Sequence, residues 1–426
     1  MEDIYSKFTE LYAIHDWYFC EQKNDKQEMM RDMVNNIISL LDALPEEEIM
    51  ERSAELSYIR GKSLNALDDS GMGAEDYLSR AIKLDPSNVD AWIAMGHVAW
   101  KKGDVLQAKH LFEESLKHSP TKEAYQDLSM ITRQIPKQTR GEGGEPKDRG
   151  EIMQDSIKLA KKAIALDMND HKSWYILGNA LCMNFFTVTN DVYDLNKALT
   201  AYKKSESLGG DCNPDLYYNR GNVHRYMQNY SLAIECYKKT VDIDPSSFSQ
   251  ANDSLQDVTH FVERVNDITH HKGYVKKKKF NVILNDLLSS KFKESSTCFK
   301  DLINGVNTHS TISLKVLMIV TKVGVPPQCF VCVDAAGDCA VLSIFNLSGD
   351  APPLTSNQVV TILNPVVSRS LLNISEGEKA ESTSTAATPP ATLIQVHQVE
   401  NIKVDGRQIN SKIMAAPQLK VDLFSS

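Results

Sequence analysis

Residues 89–122 read VDAWIAMGHVAWKKGDVLQAKHLFEESLKHSPTK. Trp92 is followed by Met95-Gly96 and Ala99, then by Gly103, Ala108, Phe112, Ser115 and Pro120. Apolar residues recur at helical spacing on both sides of Gly103, so the stretch folds as two short helices joined by a turn. Gly96 and Ala108 are small because the helices cross there. Trp92, Met95 and Phe112 fill the space between them. Pro120 lacks an N–H and clashes with the preceding turn, so it stops the second helix.

Over about 34 residues this is the tetratricopeptide spacing, and it recurs. Residues 214–247 carry Tyr217, Gly221, His224, Ala233, Tyr237, Thr240 and Pro245. A third copy starts at Trp174 with Leu177-Gly178 and continues to Ala198, Tyr202 and Ser205, with a longer turn through Asn184–Asp194. An earlier copy shows Gly61, Ala74, Leu78, Ala81 and Pro86. An imperfect one runs from Tyr125, Leu128 and Ser129 across the loop Pro136–Gly150 to Ser156, Ala160 and Ala163. The expectation is about five repeats over 51–270, forming a right-handed helical solenoid. Helical patterns within 1–50 read as an N-terminal cap. Residues 271–304 read as a basic linker with a short helix.

From residue 305 the pattern changes to period two. Ile312–Val323, Cys329–Asp334, Cys339–Phe345, Val359–Leu363 and Thr392–Val399 read as strands. About five strands fit a small closed β-barrel, OB-fold-like, over 305–412. Ser375–Pro390 is low in complexity and reads as a disordered loop, with 413–426 as a tail. The fold class is thus mostly α, a repeat solenoid followed by a small barrel.

The net charge of −9 is unevenly spread. Residues 1–100 hold 20 acidic and 9 basic residues, whereas 272–279 hold five lysines and no acid. The start, Met1-Glu2-Asp3-Ile4, does not read as a signal peptide, and no apolar run is long enough to span a membrane. The eight cysteines are therefore expected as free thiols. Cys329-x-x-Cys332 with Cys339 could suggest zinc. Residues three apart on a strand point to opposite faces, though, and no fourth ligand is near, so buried core residues are the better reading. No HExxH, phosphate-binding loop, dinucleotide turn or nucleophile elbow is present. No enzyme, cofactor or metal is expected.

The groove carries the chemistry. In each hairpin the first helix lines the concave face, and its inward positions are Asp90, Ile93, His97 and Trp100 in the second repeat. In the Trp174 copy they are Lys172, Tyr175, Asn179 and Cys182; in the last they are Asp215, Tyr218, Asn222 and Arg225. Arg133 falls at the corresponding position of the imperfect copy. Asparagines can hold a peptide backbone as donor and acceptor. Asp215 suits a basic side chain and Arg133 a carboxylate. Each singly could equally be a solvated surface residue. The run Lys276–Lys279 reads as a phosphate-backbone contact, a solvated linker or a nuclear localisation signal. A nucleic-acid role for the barrel finds few aromatic or basic residues on its strands.

The stretches Trp100–Val105, Leu128–Gln134, Ser173–Asn179 and Asn213–Leu216 resemble the tetratricopeptide repeat protein 5 family, also described as stress-responsive coactivators. The resemblance runs from the N-terminal cap through Lys279 and is looser in the barrel. It implies a cytoplasmic role: recognition of the N-terminal Met-Arg-acidic segment of nascent tubulin at the ribosome, leading to tubulin mRNA decay. It also implies a nuclear role in scaffolding acetyltransferase coactivators; no membrane partner is expected, for want of a long apolar run. By the match of motifs, Arg133 and Asp215 stand where the family's groove meets the peptide. Lys276 and Lys278 stand where lysines meet the ribosome, its RNA or a protein near the exit site. One place departs: where the family has a further acid after the last repeat, Ser249-Gln250 stand here.

Overall fold

Four of the repeats are built around a crossing at which one helix has no side chain, at Gly61, Gly96, Gly178 and Gly221, while the imperfect copy has Ser129 there, bonded to Ser156. A Cβ on Gly96 would lie 2.3 Å from the ring of Phe112, and one on Gly178 would lie 2.5 Å from the ring of Tyr202. Both rings are fully buried. The computed structural model describes residues 1–17, 23–67, 73–135, 148–245, 249–321, 327–345, 354–369 and 391–409. The low-complexity stretch 375–390 and the tail 413–426 lie outside the described residues, as does Cys20.

Three helices come first: α1 (Glu2–Trp17), α2 (Lys23–Asp42) and the short α3 (Glu46–Glu51). The helix pairs follow. They are α4 (Ser53–Asn65) with α5 (Ala74–Leu84), α6 (Val89–Lys101) with α7 (Val105–His118), and α8 (Lys122–Gln134) with α9 (Arg149–Leu166). Next come α10 (His171–Asn184) with α11 (Val192–Ser207) and α12 (Pro214–Tyr226) with α13 (Tyr230–Ile243). Two further helices, α14 (Ser249–His270) and α15 (Lys277–Ser289), close the helical part.

The sequence starts these helices with side-chain caps. Asn88, Asp104, Thr121, Asp170 and Asp191 each accept a hydrogen bond from a backbone N–H in the first turn that follows. The tryptophans do a related job. Trp92 Nε1 donates to the Pro86 carbonyl at 2.8 Å and Trp174 Nε1 to the Met168 carbonyl at 2.9 Å, each six residues back. Each indole thus ties a repeat to the end of the one before. The α10–α11 turn is lengthened by a π-helical stretch, Phe185–Thr189, which ends at Asn190 in a left-handed conformation.

The chain divides into two compact units: Met1–Arg220 with Lys239–Ala251, and Gly221–Lys238 with Asn252–Lys420. The division runs through the last repeat. The turn of that repeat is held inside the second unit, where buried Gln228 donates to Ser343 Oγ at 2.8 Å and accepts from Gln395 Nε2 at 3.1 Å.

The β-sheet of the second unit has β1 (Gly305–Val306), β2 (Thr311–Ile319), β3 (Gln328–Val333), β4 (Cys339–Ile344) and β5 (Val359–Leu363). It continues with β6 (Val366–Ser368), β7 (Leu393–Val396), β8 (Ile402–Val404) and β9 (Arg407–Gln408). The order is β1-β6-β7-β4-β3-β2-β5-β8-β9, with β4 and β7 parallel and every other pair antiparallel. This corrects two expectations. Among the described residues nine strands stand in place of about five, because pieces of two or three residues carry no readable period. The hydrogen-bonded ladder is also not closed. Its two sides are joined instead through one bent segment, which pairs with β2 as β5 and with β7 as β6. At the bend Asn364 has φ 49°, and Pro365 has no N–H to give to a ladder.

Alternate strand residues build the interior: Leu314, Val316, Phe330, Cys332, Leu342, Ile344, Val360, Ile362 and Ile394. Cys329 points to the opposite face, where its Sγ lies 3.3 Å from Ser343 Oγ. The two cysteines of Cys329-x-x-Cys332 therefore do not converge. Among the described residues no three His, Cys, Asp or Glu side chains group as metal ligands. No helix there is long and apolar enough to cross a membrane.

The crossing is testable. Gly96→Ala drives a methyl into a ring that cannot withdraw, an overpacking cost of about 1–3 kcal/mol. Urea denaturation followed by far-UV circular dichroism is expected to show a lower midpoint. An unchanged midpoint would refute the tight crossing.

Candidate functional site

The groove side chains of the fourth repeat are set by their neighbours. Asn179 is fully buried, and its Oδ1 accepts from Tyr202 Oη at 2.8 Å and from Asn219 Nδ2 at 3.1 Å. Asn219 Nδ2 also donates to Tyr175 Oη at 3.3 Å. With its acceptor end held, Asn179 is left with an Nδ2 that has no partner. In the second unit Asn222 repeats the arrangement. Its Oδ1 accepts from Tyr237 Oη at 2.8 Å and its Nδ2 is unpartnered. A carboxamide pinned in this way offers N–H donors to an incoming carbonyl.

Arg133 lies in the last turn of α8 and is 1% exposed. None of its three guanidinium nitrogens has a hydrogen-bond partner. Burial pulls its pKa down to about 10, with Tyr175, Tyr202 and Cys182 as its electrostatic neighbours. It therefore stays cationic at neutral pH. A desolvated charge without a partner costs several kcal/mol, on the order of the penalty for breaking a buried pair.

Asp215 lies in the first turn of α12. Burial lifts its carboxyl to about 6, and Asp244 adds to the shift. No cation neighbours it among the described residues. Tyr175 feels both charges: burial raises its hydroxyl and Asp215 raises it further, while the Asn179 amide, Arg133 and Asn219 oppose. One tyrosine is thus shared by an unpaired cation and an unpaired acid.

The first unit therefore brings together Arg133, Tyr175, Asn179 and Asp215. Tyr218 is buried on the same helix as Asp215. Cys182 is buried below Tyr202, whose hydroxyl lies 3.4 Å from its Sγ. Asn222, Lys276 and Lys278 belong to the second unit. Lys276 is the N-cap residue of α15 and Lys278 lies in its first turn, both exposed. Ser249 and Gln250 are exposed in the first turn of α14. His97 does not stand free: its Nε2 lies 2.8 Å from Asp127 Oδ2.

Three residues escaped the sequence reading, Asn219, Asp244 and Asp127, and Tyr202 was read only as a packing position of the third copy. Gly-Asn followed by a tyrosine at the helix crossing, in Gly178-Asn179…Tyr202 and again in Gly221-Asn222…Tyr237, was the available signal for the held amide. Nothing local marks Asn219, Asp244 or Asp127.

The tetratricopeptide repeat family model matches residues 89–122 and 214–247. The model described as tetratricopeptide repeat protein 5 OB fold domain matches residues 293–418. The human protein named tetratricopeptide repeat protein 5 is 30% identical over 360 residues, covering 79% of this chain and 80% of that one. The mouse protein of that name is 30% identical over 363 residues with the same coverage. The solved structure of TTC0263, a thermophilic repeat protein of Thermus thermophilus, is 16% identical, with a TM-score of 0.40, and covers 48% of this chain and 98% of that one. That likeness carries no functional weight. Fold and groove define a repeat adaptor of the peptide-binding class, joined to an OB-fold domain. Within that class, the chain belongs to the tetratricopeptide repeat protein 5 family.

The raised carboxyl has a consequence for stability. Asp215 has a higher pKa in the folded chain than the ordinary aspartate value of about 3.9. The folded state therefore keeps this proton when the unfolded state has lost it, and the advantage disappears as pH rises through about 6. Asp215→Asn is expected to be more stable than wild type above about pH 7, with the difference vanishing near pH 4. Denaturant midpoints at the two pH values measure this. A wild type that is the more stable of the two at neutral pH would contradict it.

Proposed function

We propose that this chain reads the N-terminal Met-Arg-acidic segment of nascent tubulin at the ribosome and thereby triggers decay of tubulin mRNA. The observation that carries the reading is the pair of uncompensated charges in one groove. Arg133, buried and unpartnered, complements an acidic side chain. Asp215, without a cation, complements an arginine. The free Nδ2 of Asn179 suits the backbone carbonyl between them. The identity of the peptide rests on family membership, not on the groove.

The ribosome contact is supported by Lys276 to Lys279. These lysines are exposed at the start of α15, and three of them sit in its first turn. Cations are disfavoured at that end of a helix by about 0.3–1 kcal/mol each, and a phosphate backbone would relieve the repulsion. The proposed location is the cytoplasm, with nuclear coactivator scaffolding as the second role the family implies. Nucleic-acid binding through the OB-fold domain gains less support. The outward residues of β3 and β4, among them Cys329, Val331 and Val341, are buried, and Gln228 of the same unit is bonded onto that face.

Fluorescence anisotropy with a peptide beginning Met-Arg-Glu tests the groove. Arg133→Ala and Asp215→Ala are each expected to weaken binding about tenfold or more. Equal affinity in wild type and both variants would remove the groove from the account. Lys276→Glu with Lys278→Glu is expected to abolish co-sedimentation with ribosomes while leaving peptide affinity unchanged. Retained co-sedimentation would leave the lysines as a solvated linker.

A further inference from the structure

The groove positions of the first repeat are already filled by the chain itself. Tyr58 and Lys62 stand three before and one after the crossing glycine Gly61, the register that Tyr175 and Asn179 hold about Gly178. In the fourth repeat that register presents an unpartnered amide. In the first it meets α1. The Phe8 ring lies edge-on to Tyr12 at 5.4 Å and to Tyr58 at 6.2 Å. Lys62 Nζ lies 4.8 Å from the Tyr12 ring centroid and 5.5 Å from that of Tyr58, and it donates to Tyr58 Oη at 3.0 Å. Tyr12 Oη in turn donates to the Lys62 carbonyl at 2.9 Å.

This is a built contact and not a loose one. α1 buries Ile4 and Leu11 in a core shared with α2 and α4. Lys26 of α2 donates to the His15 carbonyl at 2.8 Å. At the far end of α1, Asp16 feels the charges of Lys26 and of Lys172 at the start of α10.

The two halves of the groove are therefore chemically different. In the first two repeats the ionisable and aromatic groups answer one another: Lys62 is caged, His97 meets Asp127, and Trp100 Nε1 donates to Gln134 Oε1 at 2.9 Å. Asn65 Oδ1, at the end of α4, is the exception. Two charged groups beyond them, Arg133 and Asp215, are unanswered. We propose that α1 is a resident occupant of the concave face at the first repeat and makes the groove a blind channel: a ligand chain held at Arg133 ends before the first repeat and does not run on past it. Phe8 and Tyr12 are then specificity-determining residues, selecting a chain terminus over an internal segment. This rests on the peptide-groove reading of the preceding subsection.

The test uses the full chain and three peptides: the Met-Arg-Glu peptide, the same peptide with a Gly-Ser stretch before it, and the same with that stretch after it. In wild type, one of the two extensions is expected to weaken binding about tenfold or more. Phe8→Ala with Tyr12→Ala, which keeps the Ile4 and Leu11 anchor, is expected to remove most of that loss, as is deletion of residues 2–16. Wild type that tolerates both extensions overturns the blind channel while leaving the groove intact. The loss persisting in either variant while hydrogen exchange shows α1 released or absent also overturns it. No binding of any peptide by wild type overturns the peptide groove itself, which sets that failure apart.

Discussion

Everything in the repeat region depends on how closely two helices can cross. Gly96 lies against Phe112, Gly178 against Tyr202 and Gly221 against Tyr237, each at a distance that excludes a methyl group. The crossing packs the hairpin. Where the aromatic is a tyrosine, it also does chemistry, because the hydroxyl emerges beside the next residue of the first helix. That hydroxyl holds Asn179 in one repeat and Asn222 in the other. A packing constraint is thereby converted into an oriented, buried hydrogen-bond donor.

The same logic explains where the groove is unfinished. Proteins seldom bury a charge without an answer, since desolvation outweighs what remains. The first two repeats obey this, with Lys62 boxed by aromatic rings and His97 set on Asp127. Arg133 and Asp215 do not. Their neighbours are tyrosines, a thiol and, for Asp215, a second acid that makes its position worse. Both act on Tyr175, and under the proposed function they form a preorganised pair for a ligand of opposite pattern, whose binding would recover what folding gave up.

Much of this was legible in the sequence for physical reasons. The helix pairs follow from glycine, aromatic and proline at fixed spacing, and the longer strands from period-two runs: Val359–Leu363 matches its expected bounds, and Cys339–Ile344 differs by one residue. The inward positions follow from helical periodicity alone. What was not legible depends on distant partners. The amphipathic pattern of α1 says that one face is covered, not that Phe8 and Tyr12 lie on the groove of the first repeat. The partner that fixes Asn179 comes from beyond an inserted turn, and the acid that lifts Asp215 comes from the end of the next helix. Strands of two or three residues have no period to read, and the bend at Asn364-Pro365 that joins the two sides of the open ladder is a tertiary fact.

The central claim is that Arg133 is kept buried for a ligand and at the expense of the fold. Urea unfolding of Arg133→Met, a replacement of similar length without the charge, tests it most directly. A midpoint at or above that of wild type is predicted, because no hydrogen bond is lost and a desolvated cation is removed. A markedly lower midpoint would mean that the guanidinium is answered within the folded chain, and the groove would lose its claim to an unpaired charge.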